Sequence, residues 1–127
     1  MDKIKKDFNF LRTDKSILGV LLFGSRKRKD FHEKSDTDIC IVSPKTAPEK
    51  ILSKVFTNLN VEEKKYEIHV FEELPLHLKM QVIENHEIIY SKNAPELYEY
   101  FYFYRKLWSG QKKRNTMEKK ELIKLLK

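Results

Sequence analysis

Cysteine is nearly absent from this chain: Cys40 is the only one in 127 residues. No internal disulfide is therefore available, and stability has to come from a buried apolar core, as expected in a reducing compartment. Glycine and proline are sparse, at three and four residues, which excludes collagen-like repeats and Pro/Gly-rich linkers. No apolar run approaches the roughly 20 residues needed to cross a bilayer, so no membrane partner is expected. The opening Met1-Asp2-Lys3-Ile4-Lys5-Lys6-Asp7 has no apolar stretch behind its charges. A secretory signal is therefore not expected, and the expected localisation is cytoplasmic. His32, His77 and His86 lack ligand-like spacing, so no zinc site is read from them.

What remains is a composition of 40% apolar and 35% charged residues, which places the chain among globular rather than disordered proteins. Its length fits one domain over 1–127, with a core at about 14–92 and a C-terminal aromatic and basic helical segment at about 93–127. The net charge of +7 is unevenly placed. Residues 1–104 carry 17 basic and 17 acidic side chains, whereas residues 105–127 carry nine basic against two acidic. Such a tail suits contact with nucleic acid, acidic protein or anionic lipid, and equally a solvated helix face.

Apolar periodicity gives the elements. Ile4, Phe8 and Leu11 mark a short amphipathic helix, and the continuous apolar run Ser16–Phe23 reads as a strand buried on both faces. Asp36–Val42 reads as a second strand, with Asp36, Asp38 and Cys40 on one face and Thr37, Ile39 and Ile41 on the other. Thr46-Ala47-Pro48-Glu49 has capping-box spacing ahead of a helix carrying Ile51, Leu52, Val55, Phe56 and Leu59. Lys65–Phe71 is a third strand, Pro75 opens another helix, and Glu87–Tyr90 is short enough for an edge strand. Asn93-Ala94-Pro95-Glu96 repeats the capping pattern before a helix expected to run to about Trp108, with a further helix after Asn115-Thr116. The order predicts an α+β domain: a small mixed β-sheet flanked by helices, with a C-terminal helical extension.

The chemistry concentrates in two places. Asp36 and Asp38 point the same way from one strand, so their carboxylates can converge on one hard cation or on two ions about 3.5–4 Å apart. Glu67 is the only acid inside the third strand and the natural third member. Ahead of the pair, a buried strand ends at Gly24-Ser25, followed at once by Arg26, Lys27, Arg28 and Lys29. A glycine there lets the backbone approach a ligand closely, and the following N–H groups, the Ser hydroxyl and the basic side chains suit phosphate oxygens. Ten residues separate Ser25 from Asp36.

Phe23-Gly24-Ser25 and Ser35-Asp36-Thr37-Asp38-Ile39 resemble the signature of the DNA polymerase β-like nucleotidyltransferase superfamily, and most of all its minimal members, the MNT proteins. The stretch Tyr66–Pro75 resembles the family's third-acid strand, with Glu67 where Asp is usual. The resemblance implies the nucleotidyltransferase fold, two Mg²⁺ ions and transfer of a nucleoside monophosphate from an NTP such as ATP. It also implies roles for individual residues. Gly24, Ser25 and, at the basic position of the turn, Arg28 would bind the triphosphate; Asp36, Asp38 and Glu67 would be catalytic and ligate metal. Minimal members of this size are commonly antitoxins that add AMP to a tyrosine of a HEPN-type toxin, and this is the preferred function. The alternatives are a small-molecule nucleotidyltransferase and a catalytically weak module that binds a partner or nucleic acid.

Other residues have ordinary readings beside functional ones. His69 lies on the Glu67 face, near the metal site or as a hydrogen-bonded structural histidine. Cys40 reads as core, with nothing adjacent to activate it. In residues 97–108, Leu97, Phe101, Tyr104 and Trp108 make one core-like helical face, while Tyr98, Tyr100, Tyr102 and Phe103 carry aromatic surface further round. That surface suits toxin contact, homo-oligomer formation or stacking on single-stranded nucleic acid, although no RNA-binding motif accompanies it.

Overall fold

A computed structural model of the chain describes residues 2–24 and 36–126, with side chains described through residue 111. Helix α1 (Asp2–Asp7) and a 3₁₀ turn (Asn9–Thr13) precede strands β1 (Gly19–Phe23) and β2 (Thr37–Val42). Helices α2 (Pro48–Asn58) and α3 (Val61–Lys64) cross to β3 (Tyr66–Val70), followed by a 3₁₀ turn (Phe71–Glu73). Helix α4 (Leu76–Glu84), edge strand β4 (His86–Tyr90) and the long helix α5 (Ala94–Leu126) complete the order. The sheet runs β3-β2-β1-β4, with β2 parallel to β3 and antiparallel to β1, and β1 antiparallel to β4. This is the expected mixed sheet. No helix among the described residues is long and apolar enough to cross a membrane.

Strand alternation divides the core into two layers. Val20, Leu22, Ile39 and Ile41 face α1 and α2, meeting Ile4, Phe8, Leu11, Ile51 and Val55. Leu21, Cys40 and Val42 face α4 and α5, meeting Phe71, Met80, Val82, Ile83, Leu97 and Phe101. The central strands are thus covered on both sides, as the continuous apolar run of β1 predicts.

Two of three local expectations are corrected. Thr46 does not cap α2: Ala47 is the N-cap, and no side chain caps the helix. Pro48 takes the first helical position and disfavours helical geometry at Ala47, which stays extended and leaves Thr46 one residue too far out. The second copy of the pattern is realised, because the Glu96 N–H donates to Asn93 Oδ1 at 3.2 Å. Finally, α5 does not stop near Trp108 but continues through Gly110 to Leu126. A glycine costs a helix only about 1 kcal/mol relative to alanine, and Lys, Glu, Leu and Met around it favour the helix.

A polar cluster fastens α5 to the sheet. Glu72 accepts the Ser43 backbone N–H at 3.0 Å and the Tyr100 hydroxyl at 2.9 Å, and Tyr100 lies 3.2 Å from the Tyr104 hydroxyl. Burial first, then Tyr104 and Glu72, push the Tyr100 hydroxyl far above the ordinary tyrosine range. Lys79 is buried, donates to the Leu74 and Glu72 carbonyls and lies over the Phe71 and Tyr104 rings. Tyr100 therefore belongs to the core side, whereas Tyr98, Tyr102, Phe103 and Leu107 are exposed.

At the other end of the molecule Asp7 holds α1 against the start of β3. It accepts from Lys64 Nζ at 2.8 Å and from the Tyr66 hydroxyl. Burial opposes its ionisation, but the hydrogen bonds from Lys64 and Tyr66 and the charges of Lys64 and Lys3 outweigh it, leaving the carboxyl below its usual range. A lowered folded pKa means stability that is present at neutral pH and lost as pH falls below about 4. Asp7→Asn should lower the unfolding free energy by about 1–2 kcal/mol at neutral pH, measured in urea. The gap from wild type should narrow by about pH 3; an equal gap at both values would overturn this account.

Candidate metal and nucleotide site

Strand register assembles the site. Antiparallel pairing sets Phe23 at the end of β1 against Asp38, and parallel pairing sets Asp38 against Glu67 and Cys40 against His69. Gly24 leaves β1 at φ 78°, a left-handed conformation that side-chain-bearing residues rarely adopt. A Cβ on Gly24 would stand 2.1 Å from Asp38 Oδ2 and 2.9 Å from its Cγ. The glycine is thus required twice, by its backbone angle and by the carboxylate packed against it. The close approach expected of the Gly24-Ser25 turn was to a ligand; the one seen here is to Asp38 of the same chain.

Asp38, Glu67 and His69 each present one ligand atom within 4.8 Å of the others. His69 Nε2 lies 3.3 Å from Asp38 Oδ1 and 3.6 Å from Glu67 Oε1. The imidazole is held edge-on to the Phe23 ring, with centroids 5.3 Å apart. Burial, followed by the hydrogen bond and negative charge of Asp38, raises the Glu67 pKa; His69 opposes this and Asp36 adds to it. Two carboxylates forced together need a counter-charge, which a proton, an imidazolium or a metal ion can supply. The donor set fits a divalent cation: oxygen-rich, partly open to solvent and gathered at one end of the sheet.

The expected residues divide into groups. Asp38 and Glu67 come together. Asp36 is exposed just before β2 and acts on Glu67 through its charge, but its carboxylate lies outside the three-residue cluster. Ser25 and Arg28, with the rest of the basic turn, lie outside the described residues. Cys40 is fully buried behind the site, and burial pushes its thiol up, as expected for core.

His69 is the residue that sequence reasoning placed on the right face but did not assign to the cluster. The available signal was the spacing Glu67-x-His69, a same-face pair matching Asp36-x-Asp38. What the signal lacked was the parallel register that sets one pair beside the other.

Comparison with known proteins follows the same lines. Residues 3–95 match the family described as "Polymerase beta, Nucleotidyltransferase". A Methanocaldococcus jannaschii protein, provisionally named a protein adenylyltransferase, is 39% identical over 99 residues, covering 77% of this chain and 75% of the relative. A toxin–antitoxin crystal structure with AMP-PNP superposes with a TM-score of 0.70 at 15% identity, covering 97% of this chain and 99% of that one. An MNT antitoxin in complex with a tri-AMPylated Shewanella oneidensis HEPN toxin gives 0.66 at 12% identity, covering 97% and 99%. At those identities the two structures share the fold, while the family match spans most of the chain. The chain therefore belongs to the polymerase β-type nucleotidyltransferases.

Proposed function

We propose that this chain is a protein adenylyltransferase of the antitoxin kind, which transfers AMP from ATP to a tyrosine of a HEPN-type toxin in a Mg²⁺-dependent reaction. The observation that carries this reading is the 39% identity to the M. jannaschii protein over three quarters of both chains. The fold shared with antitoxins crystallised with AMP-PNP or beside an AMPylated HEPN toxin supports it. So does the site itself, where Gly24 packs on Asp38 and Glu67 stands opposite in register.

In this reading Gly24 and Ser25, with Arg28, hold the triphosphate, while Asp36, Asp38 and Glu67 hold two Mg²⁺ ions. Bound divalent cations supply charge neutralisation for the leaving pyrophosphate and lower the pKa of the acceptor hydroxyl. The tyrosine oxygen attacks the α-phosphorus in line. A new O–P bond forms as the bond to pyrophosphate breaks, and AMP stays on the tyrosine. Glu67 takes the hydroxyl proton or positions the hydroxyl for attack. Most of the catalysis is positioning and charge stabilisation rather than covalent chemistry by the protein. The exposed Tyr98, Tyr102, Phe103 and Leu107 of α5 offer an aromatic face for the toxin, a surface of the kind enriched at protein interfaces.

The test is co-expression with the neighbouring gene product, addition of ATP and Mg²⁺, and intact-mass spectrometry of both chains. An AMP-sized addition to a tyrosine of the partner is expected. Asp36→Asn and Asp38→Asn should each lower the transfer rate roughly 100-fold or more while the circular dichroism stays native. Full activity in both variants, or ATP bound but never used on any partner, would overturn the proposal. Gly24→Ala should also lose transfer, because its methyl group collides with Asp38; an active Gly24→Ala enzyme would remove the turn from the site.

A further inference from the structure

We propose that His69 is itself a metal ligand, so that one cation position is built from Asp38, Glu67 and an imidazole nitrogen. Such a position is suited to a divalent transition ion such as Mn²⁺ as well as to Mg²⁺. The inference rests on the cation-dependent reading above and goes beyond it, since that reading uses only acids.

The geometry supports the nitrogen donor directly. In an octahedral shell with bonds of about 2.2 Å, neighbouring ligand atoms stand about 3.1 Å apart. Nε2 of His69 stands 3.3 Å from Asp38 Oδ1 and 3.6 Å from Glu67 Oε1, and all three ligand atoms lie within 4.8 Å of one another, so two edges of such a face are near their bonded length. The ring is already oriented, because Phe23 packs against it and β3 fixes its backbone opposite Cys40. Its side chain is 25% exposed, which leaves room for a cation and solvent on the open side. Asp36, the acid expected to complete the set, lies outside the cluster, and His69 stands inside it.

The ligand type has a chemical consequence. Mg²⁺ favours oxygen donors, holds its waters and gains little from imidazole, whereas nitrogen donors raise affinity along the first transition row. A site with His69 bound should therefore discriminate less in favour of Mg²⁺ than a site made of three carboxylates. A histidine that only hydrogen-bonds Asp38 would orient the carboxylate and leave metal preference unchanged. The two roles are separable by spectroscopy.

The experiment uses the full chain with Mn²⁺ alone, without nucleotide or partner. Binding is followed by loss of the free-ion electron paramagnetic resonance signal, and the bound ion is then examined by pulsed methods for ¹⁴N coupling. Wild type should show imidazole nitrogen coupling. His69→Gln keeps a polar group beside Asp38 but lacks the ring nitrogen. It should lose that coupling and bind Mn²⁺ roughly 10–100-fold more weakly, with a smaller change for Mg²⁺. His69→Ala should behave alike, with native circular dichroism required of both variants. Mn²⁺ bound to wild type without nitrogen coupling would overturn the role of His69 and leave the nucleotidyltransfer reading standing. If neither Mn²⁺ nor Mg·ATP bound to wild type, the cation site itself would fall.

Discussion

The pairing of β2 with both of its neighbours is the constraint on which the site depends. β2 is antiparallel to β1 and parallel to β3, and both of its faces are covered by helices. A slip of one residue would turn Ile39 and Ile41 toward α4 and α5 and carry Asp38 into the α1–α2 layer, so the register is tightly fixed. That register sets Asp38 opposite Phe23 on one side and Glu67 on the other. The apolar core therefore performs the positioning. Carboxylates that repel each other are held together because separating them would unpack residues such as Ile39, Cys40 and Ile41, all fully buried.

The same face of the sheet serves two purposes along its length. Toward the start of β2 it carries Asp38 and, from β3, His69; further along it becomes Cys40, Val42 and the apolar layer under α4 and α5. Phe71 sits where the two regions meet, against Tyr100, Phe101 and Tyr104 of α5. Glu72, the next residue, accepts both Ser43 beyond β2 and Tyr100 of α5. The third-acid strand, the end of β2 and the C-terminal helix are therefore joined through an acid cluster, an aromatic contact and a half-buried carboxylate. The exposed aromatics of α5 flank this attachment: Tyr98 still touches the His86 and Phe101 rings and Phe103 the Tyr104 ring, while each keeps an outward surface.

Much of this was legible in the sequence because strong patterns are local. A continuous apolar run located β1, alternation located β2 and assigned its faces, and Glu67 fell in β3, which ends at Val70 and leaves Phe71 to the 3₁₀ turn. The failures had physical causes that no local pattern contains. Pro48 competed with Thr46 for the helix start and won, because its ring fixes the first helical position and constrains the residue before it. Gly110 did not break α5, because about 1 kcal/mol at one position is small against the propensity of a long run of helix formers. The short α3 was unrecognised because four residues carry almost no periodic signal, and its Asn60 cap is visible only once the Glu63 N–H is seen donating to Asn60 Oδ1 at 3.1 Å.

His69 shows where local reading ends. The sequence offers two same-face pairs, Asp36-x-Asp38 and Glu67-x-His69; it nominates both acids of the first and the Glu of the second as ligands, and leaves His69 between a place near the metal and a structural role. Parallel pairing is what makes the second pair a unit, since it sets Glu67 level with Asp38 and sends His69 two residues along, toward the same carboxylate. An antiparallel β2–β3 pairing with Glu67 still opposite Asp38 would have set His69 level with Asp36 instead of Cys40. The donor set was therefore decided by strand direction, which depends on the α2–α3 crossover carrying the chain back to the starting end of the sheet. Motif spacing can nominate ligands on one strand; the connection between strands decides which of them share an ion.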